Sequence, residues 1–180
     1  MLDLRIELGV GCLFFRTIFL YPQRAFFLGL MFFICPLTGF SDSFESGLEA
    51  YQRGDYTNAY GHWYRMSQDG HVVAKANLGV LYMEGLGVIQ NQKKAFELLR
   101  ETALMGIPFA QYNLALMYEK GRGMAQDRVR AHMWYNLAAS LGHDPAIAGR
   151  ANVSRYMTGP SIAEAEQMAS TCLQSVYQDC

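Results

Sequence analysis

Residues 74–110 read AKANLGVLYMEGLGVIQNQKKAFELLRETALMGIPFA, and most small residues of this stretch return 36 positions later. Gly70, Gly106 and Gly142 keep that step, as do Ala59, Ala95 and Ala131, and Ala74, Ala110 and Ala146. Asp55, Asn91 and Asp127 follow it too, and Asn77 with Asn113, Leu78 with Leu114, Tyr82 with Tyr118, Gly85 with Gly121 and Gly87 with Gly123 extend it. A period in this range marks a solenoid, because units too small to bury a hydrophobic face alone must stack to make a core.

Each period decodes as two helices and a turn. Ala74, Leu78, Leu81 and Tyr82 fall at the i, i+4, i+7, i+8 positions of one helical face. Gly85 ends that helix. Asn91 then offers its side-chain oxygen to the free N–H groups of the next first turn, and Ala95, Phe96, Leu98, Leu99 and Ala103 form the second apolar face. Gly106 stops this helix through the left-handed conformation other residues resist. The following unit repeats the scheme with Ala110, Leu114, Met117 and Tyr118, a Gly121/Gly123 loop, an Asp127 cap, and Ala131, Trp134, Tyr135, Ala138 and Ala139. The fold class is all-α.

The set Ala74, Leu78, Gly79, Leu81, Tyr82, Gly85, Gly87, Asn91, Lys94 and Ala95, followed by Ala103, Gly106 and Ala110, resembles the Sel-one-like repeat, a relative of the tetratricopeptide repeat. The next unit is more similar still, with Trp134-Tyr135 and Ala138-Ala139 where that family carries its aromatic and alanine pairs. Ala115 stands where the family has glycine, and Leu98-Leu99 where it has Trp-Tyr; both keep size or apolarity. The resemblance covers residues 44–180, with the specific motif in 74–146, and implies a right-handed α-solenoid of about four helix-turn-helix units. The first unit, GLEAYQRGDYTNAYGHWYRMSQDG at 47–70, lacks the paired-glycine loop and looks like a plain tetratricopeptide hairpin.

The last segment fits a closing unit. Arg150 occupies the slot of Leu78 and Leu114, as a terminal repeat with a polar face would have it, and Ile162, Ala165, Met168, Ala169 and Leu173 make the stripe of a final helix begun by Thr158 or Ser161 with Pro160. It also resembles the tail of exported bacterial members, an alanine-rich helix ending in two cysteines, here Cys172 and Cys180. That resemblance implies a disulfide. A continuous helix would hold the two about 12 Å apart, so a bond requires the helix to end soon after Cys172. The alternative is two separate thiols, one buried and one at a frayed end.

The N-terminus bears on address. Arg24 precedes the uncharged run AFFLGLMFFIC, too short to span a bilayer, and Gly39-Phe40-Ser41 offers a cleavage site before Asp42. Residues 1–41 thus read as a signal peptide or an N-terminal membrane anchor, and 42–180 as the repeat domain. The 24-residue stretch through Arg24 is long for a signal sequence and keeps the anchor open. The expected location is periplasmic or secreted, with inner-membrane anchoring as the alternative. The chain holds 15 basic and 16 acidic residues. Loss of the leader, with Arg5, Arg16, Arg24, Asp3 and Glu7, leaves 12 against 14, a balance that gives no footprint for nucleic acid.

Chemistry is sparse. HExxH, GxSxG, GxxxxGK[ST] and SxxK are all missing from the sequence, and the Gly85/Gly87 and Gly121/Gly123 loops lack the third glycine and the preceding strand of a dinucleotide site. His62, His71, His132 and His143 have no ligand spacing, and Glu119 and Asp127 dilute the cluster of Lys120, Arg122, Arg128 and Arg130. No cofactor, metal or catalytic residue is expected. What remains is surface. Similarity to tetratricopeptide repeats places Val73, Ala76, Asn77, Val80 and Met83, then Phe109, Tyr112, Asn113, Leu116 and Glu119, on a concave face lined by the first helix of each unit. In peptide-binding relatives an asparagine there holds the peptide backbone, so the expected partner-binding residues are Asn77, Val80, Met83, Phe109, Tyr112, Asn113 and Leu116. The alternative is that both asparagines satisfy neighbouring backbone and the aromatics belong to the core. The resemblance implies a non-enzymatic adaptor of the bacterial envelope that binds a protein or peptide. A membrane-tethered regulator is the second reading, and an enzyme akin to relatives that bind β-lactams the third.

Overall fold

The computed structural model describes residues 44–180; the expected leader and its cleavage site lie outside them. The described residues form eight helices: α1 (Phe44–Gln52), α2 (Tyr56–Gln68), α3 (Val72–Glu84), α4 (Gln92–Ala103), α5 (Pro108–Lys120), α6 (Arg128–Ser140), α7 (Asp144–Ser154) and α8 (Gly159–Gln174). No strand occurs among the described residues. Successive helices through α7 pack as hairpins, α3 meets α5, and α5 meets α7, so the first helices form one layer and the second helices the other.

The helix ends follow local chemistry. Asp55, Asn91 and Asp127 accept backbone N–H bonds from Asn58, Lys94 and Arg130 at 3.3, 3.0 and 2.9 Å, capping α2, α4 and α6. Gly85 and Gly121 end α3 and α5 with φ of 72° and 64°. The second glycine of each loop serves the stacking itself. A Cβ on Gly87 would stand 2.4 Å from the carbonyl of Tyr56, and one on Gly123 would stand 3.1 Å from the backbone of Gln92. Tyr56 and Gln92 are the first residues of α2 and α4. Each paired-glycine loop therefore lies on the first turn of the second helix one unit earlier, which is why the 36-residue step carries glycine there. The first unit replaces that loop with Arg53-Gly54-Asp55.

Two clusters make the core. The larger runs from Ala76 through Leu99, Leu114, Met117, Tyr135 and Leu137 to Ala169 and Cys172; the smaller holds Ala50, Ala59, Trp63, Ala74 and Leu81. Tyr60 and Val88 touch both, and the Tyr60 and Tyr82 hydroxyls lie 3.1 Å apart. Small alanines at the repeated positions, 0% exposed at 59, 95 and 131, let the helices approach closely.

The closing segment departs from expectation in three ways. Helix α8 packs chiefly on α6 rather than pairing with α7. Leu173, expected in the buried stripe, is 44% exposed, while Cys172 is buried; after Ile162, Ala165 and Ala169, the 3.6-residue period brings 172 rather than 173 to the inner face. Arg150 does not turn to open water: it is half-buried, and its guanidinium donates to the Asn136 carboxamide oxygen.

Candidate functional site

Residues of α1, α2, α3 and α5 line a cavity of about 200 Å³: Leu48, Tyr51, Trp63, Asn77, Val80 and Phe109. Trp63, from α2, is only 2% exposed and has Tyr51 tilted against it at 5.6 Å and Phe44 stacked at 6.3 Å between ring centroids. Gly47 permits this seating, since a Cβ there would stand 2.4 Å from the indole nitrogen. Phe44 also stacks on His71 at 5.4 Å, and His71 Nδ1 accepts the Ala74 N–H at 3.1 Å to cap α3. The first turn of α3 is thereby fixed, and with it Asn77 and Val80. Tyr51 is the one ionisable residue in the lining.

The sequence-expected residues divide into three groups. Asn77, Val80 and Phe109 meet in this cavity. Tyr112 and Leu116 are half-buried further along α5, where the Tyr112 ring lies 5.7 Å from Tyr135 and 4.9 Å from His143. The Tyr135 hydroxyl donates to Glu119 Oε2 at 2.6 Å, and burial together with this bond holds its phenol far above the ordinary range. Met83 and Asn113 are corrections to the expected face. Met83 is 2% exposed and packs into the core, and its carbonyl accepts from the Gln90 and Gln92 carboxamides at 2.9 and 2.7 Å. Asn113 is 5% exposed, and its Nδ2 donates to the Phe109 carbonyl of its own helix at 2.8 Å. Asn77, by contrast, makes no side-chain hydrogen bond to any described residue. Two asparagines one period apart thus have different tasks.

Leu48, Tyr51 and Trp63 line the site and were not foreseen. Leu48 and Tyr51 belong to α1, which the shorter first loop takes out of the 36-residue register, so the mapping that found Asn77 could not reach them; Trp63 keeps the register of Leu99 and Tyr135 but lies on a second helix, which that mapping of first helices did not cover. Their signal in the sequence was the aromatic density of residues 44–64, which holds Phe44, Tyr51, Tyr56, Tyr60, Trp63 and Tyr64.

Elsewhere three of the four basic candidates find partners. Arg122 pairs with Glu84 at 2.7 Å, Arg130 with Asp127 at 2.6 Å, and Arg128 lies over the Tyr156 ring at 5.7 Å. Among the described residues no group of three His, Cys, Asp or Glu is placed to hold a metal ion, and no helix is long and apolar enough to cross a membrane. At the C-terminus, the sulfurs of Cys172 and Cys180 stand at bonding separation, with their Cα atoms 4.8 Å apart.

Stacked helical hairpins define an α-solenoid. Residues 72–107 and 108–143 each match the Sel1 repeat, so the chain carries two of these units in tandem. An F-box protein of Arabidopsis thaliana is 35% identical over 80 residues, which is 43% of this chain and 22% of that protein. A protective antigen present in uropathogenic Escherichia coli strains, displaying an SLR fold, superposes with a TM-score of 0.68 at 20% identity, over 74% of this chain and 30% of that one. That likeness is one of fold. A Sel1 repeat protein from Oxalobacter formigenes superposes with a TM-score of 0.55 at 35% identity, over 59% of this chain and 42% of that one. The chain spans less than half the length of each of these relatives. Sel1 repeats are commonly protein-protein interaction scaffolds and generally non-catalytic.

Proposed function

We propose that this chain is a protein-protein interaction scaffold of the bacterial cell envelope, holding a partner protein or peptide in a groove of α1, α3 and α5. One observation carries the reading: an apolar cavity whose single carboxamide, Asn77, makes no hydrogen bond within the described residues. A carboxamide offers one acceptor and two donors, which match the N–H and C=O of a peptide unit. The apolar walls suit an uncharged side chain inserted beside it, since a buried charge would meet no counter-charge there. A photo-crosslinker at Val80 should trap a partner in the native cell, and Asn77→Ala should remove that adduct while the fold persists. Equal trapping from the exposed Glu97 on α4, or an adduct indifferent to Asn77→Ala, would place the contact elsewhere.

The address belongs to the same proposal. Export to the periplasm or medium follows from reading residues 1–41 as a cleaved leader, and it would oxidise the Cys172–Cys180 pair. N-terminal sequencing after fractionation should find a soluble chain beginning after Ser41. Retention in membranes through an alkaline wash would support the anchored regulator instead.

A further inference from the structure

Beyond α8 the chain turns back on itself through two consecutive left-handed residues, Val176 with φ of 52° and Tyr177 with φ of 64°. Neither is glycine, and Val176 is β-branched, so this backbone persists only where its surroundings enforce it. The Tyr177 N–H donates to the Cys172 carbonyl at 2.8 Å, and the Ser175 hydroxyl donates to the same carbonyl at 3.1 Å. The Asp179 N–H in turn donates to Ser175 Oγ at 2.9 Å. The curl has a consequence at a distance. It lays the Tyr177 ring over Gly106, so that a Cβ on Gly106 would stand 3.2 Å from the ring.

Solenoid units ordinarily contact only their neighbours. Here the tail of the last helix reaches the α4–α5 turn. Ile107 supplies no side-chain cap to α5, and the turn is held by backbone bonds, Met105 N–H and Ile107 N–H to the Thr102 carbonyl at 3.2 and 3.4 Å and Gly106 N–H to the Ala103 carbonyl at 3.0 Å. Phe109, three residues after Gly106, is a wall of the groove cavity.

We infer that the Cys172–Cys180 link is a redox latch that holds Tyr177 on the α4–α5 turn and thereby fixes the Phe109 wall of the groove. Its consequence for partner binding rests on the groove reading; the latch itself does not. Cys180 is half-buried and Cys172 fully buried, so an external dithiol reaches the bond at Cys180. The reductant's thiolate attacks the Cys180 sulfur, the Cys172 thiolate leaves and takes a proton, and the reductant's second thiolate then displaces Cys180 as it closes its own disulfide. Two thiols remain on this chain. The reductant is oxidised by two electrons, and only the hydrogen bonds at the Cys172 carbonyl and Ser175 Oγ then remain to hold Val176 and Tyr177 in the left-handed region.

Hydrogen exchange of the whole chain at Met105, Gly106 and Ile107 tests the latch, with Leu81 of α3 as internal reference. Reduction by a dithiol, or Cys180→Ser, should raise exchange at the three turn amides by about tenfold or more and leave Leu81 unchanged, the signature of local opening. Tyr177→Ala with the disulfide intact by mass should do the same, whereas Tyr177→Phe should not. Turn amides unchanged within about twofold on reduction, indifference to Tyr177→Ala, or an equal rise at Leu81 would each overturn the latch. No partner enters this measurement, so its failure leaves the groove reading standing, and loss of the groove reading leaves this result standing.

Discussion

Asn77 and Asn113 share one slot in successive units, yet one lines the cavity and the other bonds the Phe109 carbonyl of its own helix. The difference lies in what surrounds them: Asn113 is buried and must find an acceptor, while Asn77 lines the cavity. Asn113→Ala should therefore cost about 1 kcal/mol in a urea melt, and Asn77→Ala less than about 0.5 kcal/mol. Equal costs would assign both to structure. Gly87 is a sharper case, since it combines φ of 67° with the 2.4 Å approach to Tyr56. Gly87→Ala should lose at least about 2 kcal/mol through conformational strain and the displaced loop. A loss below about 0.5 kcal/mol would mean that the loop does not hold the first unit to the second.

At the scale of elements, the α6–α8 packing carries a pH dependence. His132 of α6 is 3% exposed, with Nδ1 unpaired, and burial lowers its pKa from the ordinary 6.5; Glu166 on α8 opposes this shift and Arg150 on α7 adds to it. The unfolded chain takes up this proton near pH 6.5, and the folded chain only at lower pH. Stability from the neutral imidazole is thus complete above about pH 6.5 and falls as acidity passes through the window between the two values, by up to about 1.4 kcal/mol per pH unit. His143 is lowered by burial too and acts in the same direction. Thermal midpoints measured from pH 7.5 to 5 should fall less steeply in His132→Gln than in the parent; parallel slopes would remove His132 from the account. Capping is the other element-scale contribution. Asp127→Ala should cost about 1 kcal/mol by releasing the Arg130 N–H at the start of α6.

Across the whole molecule, the tail departs from nearest-neighbour stacking, because the curl after α8 closes an eight-residue separation and reaches back to Gly106. Intact-mass measurement of protein from its native compartment, alkylated without reduction, should show no free thiol at Cys172 or Cys180. Two alkylated thiols would remove the latch and weaken the argument for an oxidising address. Closing so small a loop should be worth about 2–3 kcal/mol on the chain-entropy account, measurable as a shift in the urea midpoint on reduction.

The helices, their caps and the solenoid class were legible in the sequence alone, because each rests on local chemistry: an Asx side chain at a helix start, a glycine at its end, and small residues on a fixed 36-residue step. Part of the cavity lining, Asn77, Val80 and Phe109, was legible through the resemblance to tetratricopeptide repeats. Local chemistry could not say that Asn113 and Met83 would be covered, since burial there depends on neighbouring elements rather than on the residue's position in its helix. Nor could the repeat reveal Leu48 and Tyr51, which lie on a helix outside the period, the entry of Trp63 from a second helix, or the placing of α8 on α6 and of Tyr177 on Gly106. Those are contacts between residues far apart in the chain. Only the packed tertiary structure brings them together, because no spacing in the sequence encodes the distance between helices that meet edge to edge.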